Sequence, residues 1–126
     1  MLVSGPTVST GEENYFSDLT GEQHGEGADL SAAAIDSLVM AQPPSGFDPR
    51  PLLRELSIPS LWLFGNADSS VPVTKSVAVP GSLVNHYNRP YRYVVFPEAE
   101  HLGFVMRWPF DLAPGFSDEL TFRSYR

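Results

Sequence analysis

Two apolar stretches, each running straight into a turn that carries a titratable side chain, constrain this chain more than anything else in it. Ser60 to Phe64 (SLWLF) and Tyr91 to Phe96 (YRYVVF) are nearly continuous apolar or aromatic runs without strict alternation. Strands of a parallel sheet covered on both faces have this composition. The 26 residues between them, 65–90, hold helical patterning in Val73 to Ala78 and again in Gly81 to Tyr87, with Pro80 expected to separate two helices. A connection of that length suits a right-handed crossover between parallel strands. The fold class is therefore α/β.

The preceding segment supplies shorter elements. Leu2 to Ser4 reads as the tail of a strand ended by Gly5-Pro6, cut short by the start of the chain, since proline cannot donate to a ladder. A helical turn is expected around Glu12 to Leu19, then a Gly-rich loop from Gly21 to Gly27. From Asp29, expected as an N-cap, the residues Leu30, Ala33, Ala34, Ile35, Leu38 and Val39 recur at three- and four-residue steps and predict a helix with one buried stripe. Pro43-Pro44-Ser45-Gly46 ends it, and Asp48-Pro49-Arg50-Pro51 opens a short helix over Leu52 to Leu56. The expected architecture is about three parallel strands with flanking helices. Residues 1–57 form an acidic helical segment between strands, and 58–126 carry the acid- and histidine-bearing strands and a C-terminal segment.

A chain of 126 residues holds one core. With 42% hydrophobic and 12% aromatic residues its composition is not that of a disordered chain, and 12 Pro and 10 Gly predict many turns. No apolar run approaches the roughly 20 residues needed to cross a bilayer, and Met1 to Pro6 is too short for a signal core. A soluble protein is expected, with the cytoplasm favoured; the absence of Cys leaves the redox compartment open and excludes disulfides and thiolate metal sites. The net charge of −7 is unevenly placed. Residues 1–48 contain eight acids (Glu12, Glu13, Asp18, Glu22, Glu26, Asp29, Asp36, Asp48) and no Lys or Arg, which reads as a solvated face and argues against a nucleic-acid partner.

Ligands and catalytic groups of open parallel sheets collect outside the carboxyl ends of the strands. Asp68 lies four residues past Phe64 and His101 five past Phe96, so both are expected at the same edge. On neighbouring strands about 5 Å apart the carboxylate can accept a hydrogen bond from the imidazole, fixing its tautomer and leaving the other nitrogen as a general base. Other readings stand beside this one. Asp68 can cap the next turn as an Asx-turn, and His101 can be a packing histidine. Asp111, Glu98 and Glu100 are rival acids, the last two better read as solvated turn residues. His24 with Glu22 and Glu26 has metal-ligand chemistry but no defined geometry in a Gly-rich loop, which favours a solvated loop. His86 is expected as a partner of a helix C-terminus. Phe104, Met106, Trp108 and Phe110 read as packing residues, with Leu102 or Phe104 a possible border of an acyl pocket. Phosphate loops, dinucleotide fingerprints and basic aromatic patches are absent, so no cofactor or metal is expected.

The phrases around both residues resemble those of α/β-hydrolases. "GNADSSVP", Gly65 to Pro72, looks like the Gly-x-x-Asp-x-x-Val-Pro turn presenting the triad acid, and "PEAEHLGF", Pro97 to Phe104, is similar to the turn presenting the triad histidine. "DPRPLLRELSIPSLWLFG", Asp48 to Gly65, resembles the approach to the acid's strand. "LVSGPTVSTGEENYFSDLTGE", Leu2 to Glu22, resembles the segment after the nucleophile-bearing part in bacterial serine hydrolases of this fold. The order acid then histidine agrees with that family. The resemblance implies Asp68 and His101 as the triad acid and base, acting on a small-molecule ester or amide. Gly-x-Ser-x-Gly does not occur; Ser4-Gly5-Pro6 and Ser9-Thr10-Gly11 are the nearest phrases. The resemblance therefore implies the C-terminal portion of a hydrolase whose nucleophile half is absent, with no membrane partner. The alternative is a catalytically inactive module that binds a partner or forms a homo-oligomer through the exposed sheet edge at Leu2 to Ser4.

Overall fold

Leu61, Trp62, Leu63 and Phe64 are all buried, and their alternation sends two side chains to each face of a sheet. In a computed structural model of the chain, which describes residues 2–3, 5–23, 25–101, 104–105 and 111–112, they form the middle of a parallel sheet. The elements are β1 (Leu2–Val3), α1 (Thr10–Thr20), α2 (Ala32–Ala41), α3 (Arg50–Glu55), β2 (Ser60–Gly65), α4 (Val73–Tyr87), β3 (Tyr91–Phe96), β4 (Phe104–Val105) and β5 (Asp111–Leu112). The chain is α/β, as expected. β2 and β3 pair in parallel from Ser60↔Tyr91 to Gly65↔Phe96, β1 pairs with β2 over Leu2↔Trp62 and Val3↔Leu63, and β4 and β5 form a separate antiparallel pair. Among the described residues no helix is long and apolar enough to cross a membrane.

The two faces of β2 carry different cores. Trp62 and Phe64 pack with Val71, Val73, Leu83 and Tyr91, and with Leu53 of α3 and Val77 and Val79 of α4. The Trp62 and Tyr91 rings meet edge to face at 5.1 Å. The single proton of the Tyr91 hydroxyl is shared between Leu53 O and Leu56 O, carbonyls at the end of α3. On the other face Leu61 and Leu63 pack with Phe96, Ala99 and the half-buried Val94. β3 does not meet the expectation of cover on both faces. Its Arg92, Tyr93 and Val95 are exposed, because β3 ends the order β1-β2-β3 whereas β2 is central.

The expected break at Pro80 does not occur: α4 is one helix from Val73 to Tyr87 with Pro80 inside it. A proline there removes the amide that would bond the carbonyl of Ser76, four residues back. That carbonyl instead accepts a hydrogen bond at 2.5 Å from Thr7 Oγ1, a fully buried hydroxyl in the loop after β1. The helix continues because a distant side chain replaces the missing donor.

The helical segment departs from expectation in two further ways. α2 is capped by Ser31, whose hydroxyl accepts from Ala34 N at 3.2 Å, and not by Asp29, which lies outside the helix and is exposed. Its buried stripe narrows to Ile35 and Val39, packed on Phe16; Leu30, Ala33 and Leu38 are exposed. The second departure is larger, because the acidic face is not uniformly solvated. Ser9-Thr10-Gly11-Glu12 is a capping box, with Ser9 N donating to Glu12 Oε2 at 2.8 Å and Glu12 N to Ser9 Oγ at 3.4 Å. The Glu12 side chain is fully buried between Arg50 of α3, at 2.7 Å, and Lys75 of α4, at 2.5 Å. Lys75 Nζ also donates to Val39 O and Gln42 O, closing the C-terminal end of α2. One carboxylate thus ties four helices together. Burial works to raise its pKa, but the ammonium of Lys75, the Ser9 donors and the Arg50 guanidinium outweigh that and hold it at about 2.

Two outcomes are expected. Glu12→Ala should cost about 3 kcal/mol in urea unfolding, the lower end for a broken buried pair because Arg50 keeps some contact with water. Since the folded-state pKa is depressed, the advantage of the wild type over Glu12→Gln should be complete above about pH 5 and vanish as pH falls through about 2. Separately, Thr7→Val should cost about 1–3 kcal/mol by orphaning the Ser76 carbonyl, and less in a Pro80→Ala background, where an amide is restored to it. Equal costs in both backgrounds would show that Thr7 does not replace the helix donor.

Candidate active site

Gly65 and Phe96 end two neighbouring parallel strands as register partners, so the chain leaving each emerges at one sheet edge. Beyond β2 the chain turns sharply: Asp68 N donates to Gly65 O at 3.2 Å, Asn66 N to Phe96 O at 2.9 Å and Ala67 N to Ala99 O at 2.8 Å. The last two bonds fasten the acid's turn onto the histidine's turn. Gly65 is required where they cross, because a Cβ at that position would fall on the backbone carbonyl oxygens of Ala99 and Glu100. Glu98 takes a positive φ of 59° in the histidine's turn, a conformation costly for a residue with a Cβ and held here by the packing of buried Ala99.

The two side chains meet. His101 Nδ1 lies 2.9 Å from Asp68 Oδ2, and because a carboxylate only accepts, the imidazole donates from Nδ1. This tautomer places the ring's lone pair on Nε2. The Asp68 side chain has no solvent exposure whereas that of His101 is 44% exposed, so the acid is sheltered and the base reaches the surface. Oδ1 of Asp68 accepts from Ser70 N at 2.8 Å and Val71 N at 2.9 Å. The Asx-turn and the histidine contact are therefore not alternatives. One oxygen shapes the turn into α4, and that turn aims the other oxygen at the imidazole.

A cavity of about 450 Å³ opens beside Asp68, lined by Phe16, Thr20, Ile35, Asp68, Val73 and Thr74. Its walls mix apolar side chains of α1, α2 and α4 (Phe16, Ile35, Val73) with polar groups of the same helices and of the acid's turn, a lining that a small molecule with both apolar and polar parts would fit. A second cavity, about 520 Å³, lies between α3 and α4 away from the dyad; of its cations, Arg50 and Lys75 are bound to Glu12 and Arg54 lies over the Tyr87 ring.

The rival acids fall elsewhere. Glu98 is exposed and Glu100 half-buried on the histidine's own turn, and Oδ2 of Asp68 holds the bond to the ring. Asp111 lies in β5, but its side chain is outside the described residues, as are His24, Leu102, Met106, Trp108, Phe110 and the side chain of Phe104. His86 sits in the last turn of α4, with Nδ1 3.0 Å from Ser82 O. Among the described residues no group of three His, Asp or Glu is placed to hold a metal ion. The sequence placed Gly65 in the acid's turn without showing what it makes room for; Ala99 and Thr7, whose roles depend on chain far away, were missed, as was Glu12, for which the Ser-x-x-Glu spacing was an available signal.

Gly65→Ala should separate the two turns, costing about 1–3 kcal/mol and breaking the Asp68–His101 bond. Urea unfolding and the loss of the hydrogen-bonded Nδ1–H resonance of His101 in proton NMR would show it. An intact resonance at unchanged stability would mean that the turns tolerate a methyl group between them.

In comparison with known proteins, the chain matches no protein-family model, none of the curated proteins and no solved structure.

Proposed function

We propose that this chain supplies the acid and the histidine of a serine-hydrolase triad, on part of an α/β-hydrolase sheet, for hydrolysis of an ester or amide. The observation that carries the reading is the 2.9 Å bond from His101 Nδ1 to a fully buried Asp68, made between the turns that follow two adjacent parallel strands. Asp68 orients the ring and stabilises the imidazolium; His101 takes the proton of an attacking hydroxyl at Nε2 and returns it to the leaving group. The cavity beside Asp68 is suited to one side of a small substrate. In this reading the nucleophile and the oxyanion donors come from sequence outside these 126 residues, which hold no Gly-x-Ser-x-Gly.

The test is aryl-ester turnover and fluorophosphonate labelling of the natural gene product that contains this sequence. Asp68→Asn should lower kcat on the order of 10⁴-fold by stabilising the wrong tautomer, and His101→Ala should abolish both turnover and labelling. Turnover that survives His101→Ala would remove the dyad from the chemistry.

A further inference from the structure

Ser9, the N-cap of α1, follows β1, so the first turns of α1 stand at the carboxyl edge of the sheet, where the acid and histidine turns also lie. α1 is fastened to the acid's turn by two hydroxyls: Ser17 Oγ donates to Ser70 O at 3.1 Å and Thr20 Oγ1 to Ser69 O at 2.6 Å. Residues at i, i+4 and i+7 share a helix face, and Glu13 precedes Ser17 by four and Thr20 by seven. Glu13 is thus one turn nearer the sheet on the face that looks onto the acid's turn, and it is half-buried there. Its neighbour Glu12 points elsewhere, to Arg50 and Lys75. The helical step sends two adjacent carboxylates to two different places.

We propose that Glu13 is a second carboxylate of the Asp68–His101 pair, a positioning residue that faces the imidazole across from α1 and stabilises its protonated form together with Asp68. The catalytic consequence rests on the proposed function, but the charge pairing does not. Burial raises the Glu13 carboxyl above its usual range; the charge of His101 opposes that, and the charge of Asp68 adds to it. The remaining charged groups nearby are otherwise engaged or turned to solvent. Glu22 accepts from Ser69 Oγ, Asp36 of α2 from Thr74 Oγ1, and Lys75 of α4 is held on Glu12. Glu98 and Glu100 belong to the histidine's own turn, and Asp18 is exposed on α1. For the proposed reaction this arrangement spreads the stabilisation of the imidazolium over two acids on different elements, one bonded at Nδ1 and one acting through space.

Linkage makes the test independent of turnover, because the effect of His101's charge on Glu13 equals that of Glu13 on His101. The measurement is a carboxyl-detected NMR titration of Glu13 in the intact chain, in wild type and in His101→Gln, Asp68→Asn and Glu22→Gln. His101→Gln should weaken the acidity of Glu13 by about twofold or more, Asp68→Asn should strengthen it, and Glu22→Gln should leave it in place. Should Asp68→Asn fail to fold, His101→Gln decides alone, since that side chain is 44% exposed. A Glu13 titration unmoved by His101→Gln, or moved as much by Glu22→Gln, overturns the pairing. A failed hydrolase reading would appear as turnover indifferent to His101 and would leave this titration untouched.

Discussion

The four helices depend on one buried carboxylate. Glu12 starts α1 through its capping box, binds Arg50 at the head of α3, and binds Lys75, which in turn closes the end of α2. Bringing a carboxylate out of water costs several kcal/mol, and only a complete set of donors offsets it. Here the set is drawn from α3 and α4 besides its own helix, and Lys75 carries the link on to α2, so the charge is satisfied only when all of them are in place. An apolar residue at this position would be insensitive to which helix supplied its contacts; the carboxylate is not, and it thereby specifies the arrangement of α1 to α4 as well as stabilising it.

The same economy governs the candidate site. Asp68 divides its two oxygens between Ser70 and Val71 amides on one side and the imidazole on the other, so the group that shapes the turn into α4 also orients the base. Crossing backbone bonds from Ala67 and Asn66 hold the two turns together, and Gly65 provides the space for them to cross. The polar groups of the pair are thus bonded into the backbone that shapes both turns, which fixes their mutual geometry. α1 closes the third side through Ser17 and Thr20, so the capping box at one end of that helix and the acid's turn along its flank are parts of one construction.

Much of this was legible in the amino-acid order. The apolar runs of β2 and β3 announced parallel strands, and similar spacers past each predicted that Asp68 and His101 would share an edge, as they do at 2.9 Å. What misled was local reading of residues whose partners are remote. Pro80 signals a helix break unless a hydroxyl 73 residues earlier supplies the lost donor, and Thr7 carries no mark of that duty. Asp29 is as good a cap by type as Ser31, and the choice between them follows from where Ile35 and Val39 must point to reach Phe16. Glu12 and Glu13 are identical letters side by side; helical rotation alone makes one the centre of an ion cluster and turns the other toward the acid's turn.

Sequence by itself determined the α/β class, the two longest strands and the pair of residues delivered past their ends, because strand patterning and turn chemistry are short-range properties carried by consecutive residues. Tertiary structure alone decided which acid is buried, which helix survives its proline, and that Asp68 serves the turn and the imidazole at once. These are satisfied by donors from segments far apart in the chain, and a hydrogen bond or an ion pair depends on position in space, which the order of residues does not state until the chain has folded.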